Sequence, residues 1–376
     1  MTTVLRGMAW DHPRGLDSVV NSNSLLERQR DVRVDWEARS LLAFGDQPIS
    51  AFYENFDLMI IDHPHVPDAV HSQTILPLDS ILGSEKLEAL NLTSVGESHS
   101  SYQYQEKQWA LAIDTAAQVS AFRPDKADHS PIFWSEALEL AKTGTLLWPH
   151  KPVDAFSTFA TLMAQREAPL GGTENFIEKK QAAEVLEFMI ELSGLVPDIC
   201  LTSNPIDAAE LLAESDRYTH AICMYGYSNY SRDGFREHLI AYDDLPSFDG
   251  RASGSQLGGA GIAVSAASSN PQLAAEIAYL LSSPEIQSST YVAAGGQPGN
   301  LLAWKSGYAN QLTNNFFANT LRSLERAWVR PRIFGWPEVQ FASSQIIHRV
   351  LTEKKFVTAD LDAIEETFAA HIKEER

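Results

Sequence analysis

Cysteine is nearly missing: the 376 residues contain two, Cys200 and Cys223. Two thiols make no disulfide framework, and neither lies in a zinc-type spacing. Cys223 falls in the run Ala221-Ile222-Cys223-Met224 and reads as a small buried hydrophobe. No run of about 18 apolar residues occurs, which removes a membrane-spanning helix. Positive charge is also short: 29 Lys and Arg face 49 Asp and Glu, a net charge of −20. Phosphate backbones and anionic lipid both need a cationic surface, so nucleic acid and membrane docking are set aside as partners. Internal repeats, low-complexity tracts and long linkers are missing as well. Met1-Thr2-Thr3 leads straight into an apolar run, without the basic start and cleavage site of a secretory signal.

Catalytic signatures are equally scarce. There is no G-x-S-x-G elbow, phosphate-cradling P-loop or H-E-x-x-H. Ser253-Gly254-Ser255 and Gly171-Gly172-Thr173 are glycine loops without the strand-to-helix setting that a phosphate site requires. Asp62 and His63 are adjacent, and neighbours on a strand point to opposite faces. His63-Pro64-His65 offers two imidazoles at one loop, where a metal needs three or four converging ligands. The expectation is a non-enzyme with no cofactor and no metal site.

What remains is ordinary for a soluble protein: 44% hydrophobic and 21% charged residues. The length exceeds one comfortable core and predicts two lobes. Strand and helix patterns alternate throughout, which predicts an α/β architecture. Val4 to Trp10 reads as an opening strand, followed by the polar loop Asp11-His12-Pro13-Arg14-Gly15 and a helix. Val32-Arg33-Val34-Asp35-Trp36 alternates as a strand should. Asp57 to Asp62 is apolar enough to be buried on both faces of a parallel sheet. Gln181 to Ser193 reads as a helix with Val185, Leu186, Phe188, Met189 and Leu192 on its buried face and Gly194 as C-cap. A final helix from Thr358 to Lys373 places Leu361, Ile364, Phe368 and Ile372 on one side. From Gly258 to Pro298 the chain gives a glycine-loosened strand, a turn and an amphipathic helix, then a second short helix and a Gly-Gly-Gln-Pro loop. Asn270 is the expected N-cap of the first of these helices, with Pro271 at its first position, and Ser283-Pro284-Glu285 repeats the device.

That last segment resembles the solute-binding proteins of ABC transporters, specifically their family 1, the maltose-binding-like carbohydrate group. Four more runs resemble the same group in the same order. They are the opening strand with its polar loop; Asp62-His63-Pro64-His65 followed by Ile75-Leu76-Pro77-Leu78-Asp79; Trp109 to Thr115, with Val119 to Phe122 after it; and Arg330-Pro331-Arg332 with Trp336-Pro337-Glu338. The resemblance implies a two-lobed type II periplasmic-binding-protein fold, with about three hinge crossings and a ligand cleft between the lobes. It implies a first lobe of residues 1–113 plus 262–308 and a second of 114–261 plus 309–376. Glycines 254, 258, 259 and 261 fall at the expected second crossing. It further implies a monomer that delivers a small polar ligand to ABC permease subunits. Family members are exported, so the expected compartment is the periplasm if a leader was removed, and otherwise the cytoplasm. In the second case the alternative function is a ligand sensor that signals to a protein partner.

Ligands of open α/β sheets bind beyond the carboxyl ends of strands. That rule singles out three tips: Trp10-Asp11-His12-Pro13-Arg14, Asp62-His63-Pro64-His65, and Tyr225 to Tyr230. The family pattern adds Asp114 and Trp336. A sugar needs carboxylates and amides at its rim and aromatic rings against its faces. Asp11, Asp62, Asp114 and Asn229 supply the first, and Trp10, Tyr225, Tyr227, Tyr230 and Trp336 the second. Opposing expectations stay open: Asp11 and Asp62 as helix caps, the tyrosines as packing, Trp10 facing the core. Trp36, Trp109 and Trp134 read as core. Paired tyrosines also resemble, loosely, those of ferric-ion binders on this general fold. His12, Arg14, Arg39, His63 and His65 give the tips a basic content suited to a small organic acid or acidic sugar, as against a neutral sugar or polyol. The competing expectation pairs Arg14 and Arg39 with Asp11 and Asp35 at the surface.

Overall fold

A computed structural model describes residues 2–40, 47–172 and 175–372, without the side chains of residues 371 and 372. Met1, Thr173, Lys373 and the Ile372 side chain of the expectations above lie outside the described residues.

The chain divides into two compact units, each assembled from separated segments. The first is Met1–Ala116 with Gly258–Phe317, the second Ala117–Leu257 with Ala318–Arg376. The divisions fall three to nine residues from those that the family resemblance implied.

In the first unit, strand Thr3–Trp10 runs parallel to Val32–Arg39 on one side, in register from Thr3 opposite Val32 to Trp10 opposite Arg39. On its other side it runs parallel to Leu58–Ile61, all four residues of which are buried. The far edge of Leu58–Ile61 is taken by strand Leu257–Val264, which runs antiparallel to it with Gly261 opposite Ile61. A Cβ on Gly7 would lie 2.4 Å from the Trp36 ring, so the pairing of these two strands at the sheet's edge leaves room only for glycine there. Helix Ser18–Arg30 ends at Asp31, which takes a left-handed conformation (φ 55°) and returns its N–H to the Glu27 carbonyl. Helix Pro271–Leu281 buries Ala274, Ile277, Ala278 and Leu281 against the sheet core. Asn270 holds the N-cap position but makes no side-chain cap; its Nδ2 donates to the Ser269 hydroxyl. Ser283 likewise makes no cap; its hydroxyl donates back to the Leu280 carbonyl.

The second unit begins within strand Ala110–Phe122, whose thirteen residues are all buried. The two runs expected at 109–115 and 119–122 are therefore one strand. The one polar residue between them, Gln118, is accommodated internally, donating to the Cys223 carbonyl. Beyond Ala116 this strand pairs antiparallel with His220–Tyr225 and with Ala241–Asp243, and Leu146–Leu147 runs parallel to His220–Tyr225. Helices Pro152–Gln165 and Pro205–Glu214 pack on His220–Tyr225, Trp134–Ala141 on Leu146–Leu147, and Lys179–Leu195 and Trp336–Glu353 on Pro152–Gln165. Gly194 lies inside the helix Lys179–Leu195 rather than capping it. The stop is Val196, which Pro197 forces into an extended conformation. Leu361, Ile364 and Phe368 of helix Thr358–Ile372 are buried. Trp109 and Trp134 are core residues as expected, while Trp36 is only half-buried.

Among the described residues no helix is long and apolar enough to cross a membrane.

Candidate functional site

The first-unit candidates cluster where strand Thr3–Trp10 ends. Trp10 belongs to the hydrophobic core, and its indole lies against the position that a Cβ on Gly15 would occupy at 2.4 Å. This is the placement that the competing expectation gave Trp10, facing the core. Asp11 is exposed, and its backbone N–H donates to the Arg39 carbonyl at 2.7 Å. His12, not Asp11, caps the following turn, its Nδ1 accepting from the Arg14 N–H at 3.1 Å.

Arg14 turns inward. Its Nε donates to Asp114 Oδ2 at 2.8 Å, and its Nη2 reaches Asp114 Oδ1. The surface pair expected between Arg14 and Asp11 is replaced by a buried pair formed across a hundred residues of sequence. Burial pushes the Asp114 carboxyl above its ordinary range, opposed by the Arg14 charge and by a backbone hydrogen bond from Gln297. Arg39 does not pair with Asp35 either. Asp35 is held by Arg33 at 2.9 Å, and the Arg39 guanidinium stands 4.4 Å from the Phe52 ring centroid. Burial lowers its pKa to about 10.

Asp62 acts as a cap: Oδ1 accepts from the His63 N–H at 2.8 Å and faces His63 Nδ1 at 3.3 Å. His63 is buried edge-on against Tyr102, and His63–His65 forms a short 3₁₀ turn. Among the described residues no three His, Cys, Asp or Glu side chains converge as a metal site.

In the second unit the candidates follow strand His220–Tyr225. The strand carries a bulge: Val119 pairs with Met224 but Ala121 with Ala221, so Ile222 and Cys223 together oppose Ser120. Cys223, in the bulge, has φ 51°, a left-handed conformation uncommon for a side-chain-bearing residue. The Tyr225 hydroxyl accepts a hydrogen bond from Gln256 Nε2 at 2.7 Å. Tyr227 and Asn229 are buried, and Asn229 Oδ1 has no partner among the described residues. Tyr230 is a packing residue: its hydroxyl donates to Glu210 at 2.6 Å and its ring meets Phe235 edge-on. Trp336 opens helix Trp336–Glu353 with its ring edge-on to Phe156 and Phe176, and is 0% exposed. It therefore carries part of the second unit's core, whatever else it touches.

Residue-type reasoning missed the polar groups behind Tyr225. Helix Pro152–Gln165 is buried from Asp154 to Met163, and Asp154, Ser157, Thr158 and Thr161 recur on it at helical spacing. Thr161 donates to Gln118 Oε1 at 2.6 Å and accepts from the Gln256 N–H at 2.9 Å, while Gln256 Nε2 also donates to the Ser157 hydroxyl at 3.0 Å. Asp154 Oδ2 is buried and has no partner among the described residues, and burial lifts its pKa to about 8. Small polar residues spaced three and four apart inside an apolar helix were the available signal.

No protein-family model matches the chain, and no curated protein matches it. Solved structures do. A maltose-bound protein of T. maritima superposes with a TM-score of 0.79 at 17% identity, covering 100% of each chain. An ABC transporter solute-binding protein of Thermotoga lettingae bound to alpha-D-tagatose gives 0.77 at 17% identity, over 97% of this chain and 98% of the other. One from Agrobacterium radiobacter in complex with ribitol gives 0.78 at 15%, over 99% and 98%. The chain thus has the two-lobed type II periplasmic-binding-protein fold that its sequence resemblance implied.

Proposed function

We propose that this protein is the solute-binding component of an ABC importer, and that it binds a sugar or polyol. The observation that carries the reading is the end-to-end likeness to the maltose-bound protein of T. maritima, 100% of each chain at a TM-score of 0.79. Similar structures hold tagatose and ribitol, ligands that share a chain of hydroxyls and no charge. Under this reading the protein neither hydrolyses ATP nor alters its ligand, and its partners are permease subunits. A ligand shifts such a protein toward a closed form only through greater affinity for that form.

The ligand we favour is neutral. Arg14, which made an acidic ligand attractive on sequence grounds, has its charge answered by Asp114. Asp11 and Asp62 of the first unit remain candidate contacts, as do Tyr225, Tyr227 and Asn229 of the second.

Thermal shift followed by isothermal titration calorimetry tests the proposal, with maltose, tagatose, ribitol and glucuronate as probes. At 100-fold excess over Kd a bound ligand stabilises by about 2.7 kcal/mol. Stabilisation by a neutral probe without turnover supports the reading. Preference for glucuronate overturns the neutral assignment, and silence toward all four overturns the sugar and polyol class.

A further inference from the structure

Helix Ser84–Leu92 brings Ser84, Glu88 and Asn91 to one face, the spacing of successive turns. With Asp79 they line a pocket of about 170 Å³ that also takes in His99 and Gln108. The first four residues are exposed and the last two buried, so His99 and Gln108 form its floor. The pocket lies wholly within the first unit and shares no residue with the strand tips. Gln108 ties it together, its backbone N–H donating to Asp79 Oδ2 and its Nε2 to the His99 carbonyl, both at 2.9 Å.

No lysine or arginine lines this pocket, and neither Asp79 nor Glu88 has an ion-pair partner among the described residues. His99 gives an independent indication. The residue is 3% exposed, yet its ring nitrogens make no hydrogen bond among the described residues and are not among the unpartnered polar atoms closed off from solvent. What remains open of the ring therefore includes nitrogen, at the floor of the pocket. Burial lowers the His99 pKa to about 4, so at neutral pH the imidazole adds a lone pair and no positive charge. We propose that this pocket binds a small primary ammonium ion, with Glu88 and Asp79 balancing its charge and His99 accepting one of its N–H donors. The site is independent of the sugar or polyol reading. Its volume suits a short alkyl stem, since a cavity of about 150 Å³ accommodates a benzene ring. Among the described residues no three His, Cys, Asp or Glu side chains converge as a bare metal ion requires. An ammonium group needs no such convergence, because its three donors point apart. A neutral polyol would leave both carboxylates unbalanced.

The test uses the full chain with its histidine rings labelled, the His99 signal being identified by its loss in His99→Gln. Ethylammonium chloride is the probe, with sodium chloride at matched concentration as control. Ethylammonium is expected to move the His99 signal saturably in the millimolar range, and sodium to leave it still. Glu88→Gln is expected to weaken the response about fivefold, the upper end for an exposed ion pair. If His99→Gln does not fold, Glu88→Gln, altered only at an exposed helix position, identifies the responding signal by its weakened titration. Tetramethylammonium, which has the charge without N–H donors, is expected to bind more weakly still. A His99 signal unmoved by ethylammonium overturns the proposal, as does an equal response to sodium or to tetramethylammonium. A response to ribitol with none to ethylammonium overturns it in favour of a polyol pocket.

Discussion

Asp114 receives Arg14 through both Nε and Nη2, and the pair is sealed inside the first unit with side-chain exposures of 1% and 5%. The contact joins the loop after the opening strand to the strand by which the chain leaves the unit. Thr115 beside it donates to the Gln297 carbonyl, and Gln297 returns its Nε2 to the Thr115 carbonyl at 3.0 Å. The exit strand is thus pinned from two sides. Asp114→Ala takes the carboxylate away from a buried guanidinium, and the expected loss is about 3–5 kcal/mol in urea unfolding. Arg14→Met combined with Asp114→Leu is expected to recover most of it. An unchanged midpoint in Asp114→Ala would show that the pair contributes nothing.

Asp154 makes stability depend on pH. Its folded pKa, about 8, lies above the unfolded value near 3.8, so between these the folded state keeps a proton that the unfolded state has released. Its stabilising contribution is complete below about pH 4 and is lost as pH rises toward 8, at up to about 1.4 kcal/mol per pH unit. Asp154→Asn is expected to remove that slope and to be the more stable protein at pH 8. Parallel pH profiles for the two proteins would refute the assignment.

Trp336 is tested by stability before affinity. Its ring centroid lies 5.8 Å from Phe176 and 6.2 Å from Phe156, so Trp336→Ala opens a cavity in the second unit. The expected cost is about 3–5 kcal/mol without any ligand present. A residue serving only the ligand would leave the melting temperature of the ligand-free protein unchanged.

Two glycines should respond with opposite sign. A Cβ on Gly259 (φ 126°) would sit 2.4 Å from the Asp114 carbonyl oxygen and 2.7 Å from Thr115 Cα, both backbone atoms that cannot swing aside. Gly259→Ala is expected to destabilise by at least about 3 kcal/mol. A Cβ on Gly194 meets nothing, and the residue lies inside a helix. Gly194→Ala is expected to stabilise by about 0.5–1 kcal/mol. Chemical denaturation of the two variants checks both signs at once.

The fold was legible where pattern and burial coincide. The apolar run Leu58–Ile61 and the helix at Pro271–Leu281 stand where periodicity puts them. Helix ends were less legible: Asn270 stands at the N-cap without capping, and Val196 answered to the proline after it. Candidate site residues were legible by type and not by partner. Nothing near Arg14 announces a carboxylate a hundred positions away, and indole chemistry does not reveal which face of Trp10 or Trp336 is already covered. Gln118 and Gln256 were invisible because a glutamine reads as solvated until the threonines on the facing helix are placed.

The pairing of Leu257–Val264 with Leu58–Ile61 fixes an order of events during synthesis. Residue Ile61 leaves the ribosome about 200 positions before Gly261, its partner in the sheet. At about 5–20 residues per second that is a wait of roughly 10–40 s. The first unit, begun first, must hold an open sheet edge through that interval, while most of the second unit is translated in between. A nascent chain of this protein therefore presents an unpaired apolar strand for a large part of its time on the ribosome, and its yield in a cell should depend on elongation rate and on chaperones that cover such edges.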